Sequence, residues 1–102
     1  MVDENRTVNV AVQVLPLVEN NLFGIVDRAI EVIAASGVQY EVGPMETTMQ
    51  GQLDELVEVA KQAHVACLEA GAEQVVTIIK IADNACGTTI EEKTGKYRSA
   101  DE

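Results

Sequence analysis

Few side chains in this 102-residue sequence could make or break bonds, and their spacing decides which chemistry is open to them. His64 is the sole histidine, and Cys67 follows it at helical spacing, so a cysteine–histidine nucleophile is the first reaction type to weigh. Nothing nearby would lower the thiol pKa, since Cys67 has neither a helix N-terminus nor an adjacent cation beside it. A histidine inside an apolar stripe reads as a buried or pocket-lining imidazole bonded to a neighbour. One histidine with the separated Cys67 and Cys86 cannot close a four-ligand zinc site within one chain, so no metal is expected. Glycine-rich phosphate loops do not occur, and the carboxylates are spread over helix surfaces without a pair set apart as acid and base. The sequence therefore predicts no catalytic residues, no cofactor and no enzyme activity.

The remaining candidates are polar residues carried on strands. Gln13, Glu46, Thr47 and Thr48 offer an amide, a carboxylate and two hydroxyls, the small set of directional groups that orients a ligand in an apolar pocket. Because strand neighbours point to opposite faces, Thr47 shares a side with Met45 and Met49, and Glu46 shares one with Thr48. Ordinary solvent-facing residues would look the same, and either pair could face a ligand.

Positioning these groups requires a hairpin. Tyr40 to Gly51 reads as two extended runs hinged at Gly43-Pro44, where proline lacks an amide donor and bars helical geometry at the residue before it. The strands are expected at Val38 to Val42 and Met45 to Met49. Upstream, Thr7 to Val14 alternates strictly, with Val8, Val10, Val12 and Val14 on one face and Asn9, Ala11 and Gln13 on the other, and ends at Leu15-Pro16. Leu22 to Ala35 changes to helical period, with Leu22, Ile25, Val26, Ala29, Ile30 and Ile33 on one side, Asn20 or Asn21 as N-cap and Ser36-Gly37 as the stop.

A second helix is expected over Gly51 to Ala70. Its stripe is Leu53, Leu56, Val57, Ala60, Ala63, His64, Cys67 and Leu68, and Gly71 follows it. Gln74 to Ala82 is an almost continuous apolar run of the kind found in the middle of a sheet. Thr88-Thr89-Ile90-Glu91-Glu92 reads as a capping box opening a short C-terminal helix, with Lys93, Lys96 and Arg98 toward its negative end. The order is strand, helix, strand, strand, helix, strand. That predicts an α+β, ferredoxin-like βαββαβ sandwich: a four-stranded antiparallel sheet, two helices on one face, and the short extra helix.

Composition sets the outer bounds. The length predicts one domain spanning 1–102, and 47% hydrophobic residues suffice for a core built from Val, Ile, Leu, Ala and Met, since aromatics are limited to Phe23, Tyr40 and Tyr97. A net charge of -10 repels phosphate backbones, so nucleic acid is not an expected partner. No apolar run is long enough for a membrane span, and the N-terminal residues lack the features of a signal peptide. Two cysteines without close pairing fit reduced thiols, and the expected location is the cytoplasm.

With those residues in view, the chain resembles the small thiamine-binding protein family. The resemblance rests on Tyr40-Glu41-Val42-Gly43-Pro44-Met45-Glu46-Thr47-Thr48, on Gly51 with the acidic start of the second helix, and on Thr89-Ile90-Glu91-Glu92-Lys93 with Lys96. It runs from the valine-rich first strand to Tyr97-Arg98. It implies a ferredoxin-like domain assembled as a homo-oligomer, a dimer or tetramer, that binds thiamine or its hydroxymethylpyrimidine part without turnover.

By position, the resemblance implies that Glu46, Thr47 and Thr48 line the ligand, with Gln13 and Leu15 beside them. Phe23 or Tyr40 could stack on the cationic ring. The competing expectation is a structural or regulatory ferredoxin-like oligomer that senses another metabolite or docks a protein partner. A third is an enzyme using Cys67 and His64.

Overall fold

The valine alternation produces the strand on which the rest is assembled. In the computed structural model, which describes residues 1–100, β1 (Val8–Pro16) puts Val8, Val10 and Val12 into the core, each almost wholly buried. The other elements are α1 (Leu22–Ala35), β2 (Gln39–Val42), β3 (Thr47–Gly51), α2 (Leu53–Glu69), β4 (Val75–Ala82) and α3 (Ile90–Ala100). The four strands form one antiparallel sheet in the order β2-β3-β1-β4. This is the α+β, ferredoxin-like arrangement, with α1 and α2 packed together on the face that the valines of β1 present.

Burial follows the two helical periods. Ile25, Ala29 and Ile33 of α1 meet Leu56, Val59, Ala60, Ala63 and Cys67 of α2 over Val8, Val10, Val12 and Met49. Val59 joins this set from outside the predicted stripe, whereas Val57 and Leu68, which were within it, are exposed. The stripe on α2 is therefore rotated slightly from the one that hydropathy alone selects. α1 has the predicted bounds and stops at Gly37, whose φ of +85° is the left-handed conformation that glycine enters without steric cost. Its N-cap is not the expected side-chain cap: Asn21 is itself left-handed, at φ 62°, and makes no side-chain capping bond.

The hinge at Gly43-Pro44 forms a tight turn closed by the Gly43 amide donating to the Glu46 carbonyl at 2.9 Å. A Cβ at Gly43 would lie 2.9 Å from that carbonyl oxygen, so the turn demands a glycine there. Of the two hairpin strands, β2 (Gln39–Val42) ends where the spacing suggested and starts slightly later, whereas β3 (Thr47–Gly51) lies slightly further along the chain.

One expectation fails. The apolar run of β4 does not sit in the middle of the sheet; it forms an edge, paired to β1 alone. Val76, Ile78, Ile79 and Ile81 stay substantially exposed. A continuous apolar run marks a strand that is covered on both faces, and within this chain neither face of β4 is fully covered.

The segment between β4 and α3 is fastened to the N-terminal residues that precede β1. Arg6 donates from Nε and from a terminal guanidinium nitrogen to the two carboxylate oxygens of Asp83, both at 2.7 Å. Thr88 donates its amide to the Thr7 carbonyl at 2.8 Å, and Thr89 Oγ1 accepts from the Glu92 amide at 3.1 Å, which caps α3. The side chains of Lys96 and Arg98, expected near the end of this helix, lie outside the described residues.

The Arg6 guanidinium holds the Asp83 carboxyl below the ordinary carboxylate range, chiefly through the hydrogen bond. A depressed native pKa contributes stability that is complete above the unfolded pKa of about 3.9 and is lost as pH falls through the native value. Asp83→Asn should therefore destabilise the fold at pH 7, and its difference from the parent should shrink as pH drops below that range, measured by urea unfolding at a series of pH values. A pH-independent difference would mean the ion pair is not its source.

Candidate functional site

Alternation on β1 assigns its second row of side chains, Asn9, Ala11, Gln13 and Leu15, to the sheet face turned away from α1 and α2. The antiparallel register places Thr48 and Lys80 on either side of Ala11, and Gln50 and Ala82 on either side of Asn9. Beside Thr48, Glu41 of β2 completes the row. One end of this open face is partly roofed by α3: Ile90 is buried outside the main core and donates its amide to Gln50 Oε1 at 2.6 Å.

Between α3 and the Gly43-Pro44 turn lies a cleft of about 510 Å³. Its floor is small, Ala11 and Ala82, and its polar groups are Asn9, Glu41, Glu46, Thr48, Lys80 and Lys93. The volume is that of a small-molecule site. Lys80 Nζ donates to Glu46 Oε1 at 2.5 Å, which joins β4 to the turn across the cleft. The lysine is two-thirds exposed, so the pair contributes at most about 1 kcal/mol to folding. A ligand that competes for Glu46 has little to displace.

Asn9 is 3% exposed, the most deeply buried polar residue on this wall. Lys93 Nζ donates to its Oδ1 and, at 2.7 Å, to Thr88 Oγ1. An ammonium group can only donate, so it fixes the amide with Oδ1 toward the lysine and Nδ2 away from it. Among the described residues Nδ2 finds no acceptor. Leaving a buried amide donor unpaired costs on the order of 1–3 kcal/mol, a penalty that an arriving acceptor would relieve.

Of the residues singled out by the sequence, the structure brings Glu46 and Thr48 together in the cleft. Thr47 is buried on the opposite face of β3, with Met49, and borders a smaller cavity of about 130 Å³ beneath α1. Gln13 lies at the rim of that smaller cavity, where β1 runs past the last residue paired to β3. Leu15 is exposed next to Val76 at the far end of the open face. Tyr40 pairs with Met49 on the helix side, and Phe23 stands 82% exposed on the first turn of α1. Neither aromatic borders the larger cleft.

Asn9, Glu41, Lys80 and Lys93 were not selected by sequence reasoning. Two of them carried a signal: asparagine is depleted in strand interiors, and Lys80 interrupts an otherwise apolar run. Lys93 entered only as part of the motif behind the family resemblance and as a charge on the last helix, and its partner lies 84 residues away.

The reactive side chains lie elsewhere. His64 is on the helix face of the sheet, with Nδ1 2.5 Å from Thr77 Oγ1. Cys67 Sγ points back to the Ala63 carbonyl at 3.6 Å, and burial pushes its thiol pKa up, the reverse of what a nucleophile needs. Both cysteines are free, Cys67 buried and Cys86 exposed.

Residues 10–98 match the sequence profile described as thiamine-binding protein. A UPF0045 protein of Clostridium perfringens is 50% identical over 93 residues, covering 90% of this chain and 98% of that protein. A solved domain of unknown function from Bacillus cereus superimposes with a TM-score of 0.89 at 47% identity, covering 94% of each chain. A crystal structure from Thermotoga maritima, described provisionally as a thiamine biosynthesis or salvage protein, superimposes with a TM-score of 0.83 at 41% identity, covering 90% of this chain and 99% of that one.

A thiol reagent at neutral pH should modify Cys86 quickly and Cys67 only after denaturation, read as the stoichiometry of labelling before and after guanidinium is added. Rapid modification of both in the folded protein would contradict the buried, unactivated state of Cys67.

Proposed function

Because the chain belongs to the thiamine-binding protein family, we propose that it is a one-domain, non-enzymatic binding protein for thiamine or its hydroxymethylpyrimidine part, with the open-face cleft as the site. The observation that carries this reading is the pairing of Glu46 and Thr48 on the wall of a cleft large enough for such a ligand. Thiamine joins a cationic thiazolium to an aminopyrimidine rich in donors and acceptors. A carboxylate suits the cation and the exocyclic amine, and a threonine hydroxyl can donate or accept at the pyrimidine edge. Holding the ligand without reacting with it fits a cleft whose wall includes neither His64 nor either cysteine.

The working form in this reading is a cytoplasmic homo-oligomer. Leu15, Val76 and Ile78 make a continuous apolar patch at the end of the open face away from α3, and Ile79 and Ile81 expose the other side of the same edge strand. A second copy of the chain would cover what this one leaves wet, at a position that leaves the cleft accessible.

Titration calorimetry with thiamine and with hydroxymethylpyrimidine tests the binding reading. Thr48→Val should weaken binding by about 1–3 kcal/mol, roughly 5- to 150-fold, whereas Thr47→Val, on the opposite face, should leave affinity within about twofold. No heat from either compound at millimolar concentration would overturn the proposal, and a loss confined to Thr47→Val would move the site to the helix side.

Light scattering coupled to size exclusion tests the assembly. The parent should elute at a multiple of its 11.0 kDa chain mass. Ile78→Glu should shift it toward the monomer, and a monomeric parent would dispose of the oligomer.

A further inference from the structure

The charge of the cleft departs from that of the chain. The chain has 17 acidic and 7 basic residues, yet this wall presents Glu41 and Glu46 against Lys80 and Lys93. A site shaped only for a cation would not need either lysine. Lys80 is matched by Glu46, whereas the acceptors of Lys93 are both neutral, the Asn9 amide oxygen and the Thr88 hydroxyl. Among the described residues no carboxylate pairs with Lys93. The amide that this ammonium holds by its Oδ1 also carries the buried Nδ2, turned away from the lysine, a donor with no acceptor among the described residues. One end of the cleft thus offers a carboxylate, and the other holds an ammonium bound to neutral acceptors and an asparagine whose amide donor is unmet among the described residues.

We infer that the cleft takes a phosphate ester of its ligand, with the phosphoryl group against Lys93 and Asn9 and the cationic or amine-bearing ring toward Glu46. This inference rests on the binding reading above and names the form of the ligand. A phosphoryl group brings several strong acceptor oxygens, enough to meet an ammonium and an amide together, which a single neutral hydroxyl could not do. The surrounding charge sharpens the selection. In a chain of net charge -10, free anions are repelled, so the phosphoryl group must arrive attached to something the carboxylates hold. A molecule positive at one end and negative at the other satisfies both ends of the cleft at once.

Calorimetric titration of the parent, Lys93→Met and Asn9→Asp with thiamine, thiamine monophosphate and inorganic phosphate tests this, with the thermal midpoint of each variant confirming its fold. The parent should bind the monophosphate about tenfold more tightly than thiamine, and in both variants the ratio of the two affinities should fall to about one. Equal or weaker binding of the monophosphate by the parent, with thiamine still bound, overturns this inference and leaves the binding reading standing. A preference that survives in both variants also overturns it, since the phosphoryl group would then sit elsewhere. If thiamine and its ester both fail but inorganic phosphate broadens in phosphorus NMR with the parent and not with Lys93→Met, the thiamine reading falls and the anion corner stands.

Discussion

The two-residue period of β1 is the constraint on which the rest of the molecule depends. Every second side chain is a valine committed to the core, which leaves Asn9, Ala11 and Gln13 no choice but the other face. A slip of one residue against β3 or β4 would bring the amides under α2 and expose the valines, so the hydrophobic cost of misregister also protects the polar row. The core therefore determines the register, and the register determines which groups meet across Ala11. Small residues at Ala11 and Ala82 leave space where a strand with larger outward side chains would have filled it.

Local pattern made most of the fold legible. The strict alternation of β1, the helical stripe from Leu22 to Ala35 and the Gly43-Pro44 turn each speak through neighbours in sequence, and their elements lie close to where those signals put them. What local pattern could not convey was position within the sheet. Val75 to Ala82 reads as a strand covered on both sides, but being covered is a property of the whole assembly, and within one chain this strand has an edge. Hydropathy likewise identified α2 as amphipathic while leaving the azimuth of its stripe uncertain by the difference between Val57 and Val59.

The cleft was legible only in part, and for a physical reason. The hairpin announced Glu46 and Thr48 because polar residues are conspicuous on a strand. The side-chain alternation also separated Thr47 from them, although only the packed helices decide which face is outward. The charges opposite them come from β4 and α3, elements brought in by long-range packing. A lysine on a helix ordinarily reads as solvated, and nothing near Lys93 in sequence indicates that Asn9 waits beneath it.

That contact has a temporal side as well. Asn9 emerges early during synthesis and Lys93 comes 84 residues later, so the wall they share cannot exist in a partly made chain. β1 likewise remains without one of its two neighbours until β4 follows. Helix α3 comes last in the chain and meets the sheet through the buried Ile90, whose amide donates to Gln50, and through Lys93, which donates to Asn9. The wall that Asn9 and Lys93 share is thus completed only when the last helix has joined the sheet.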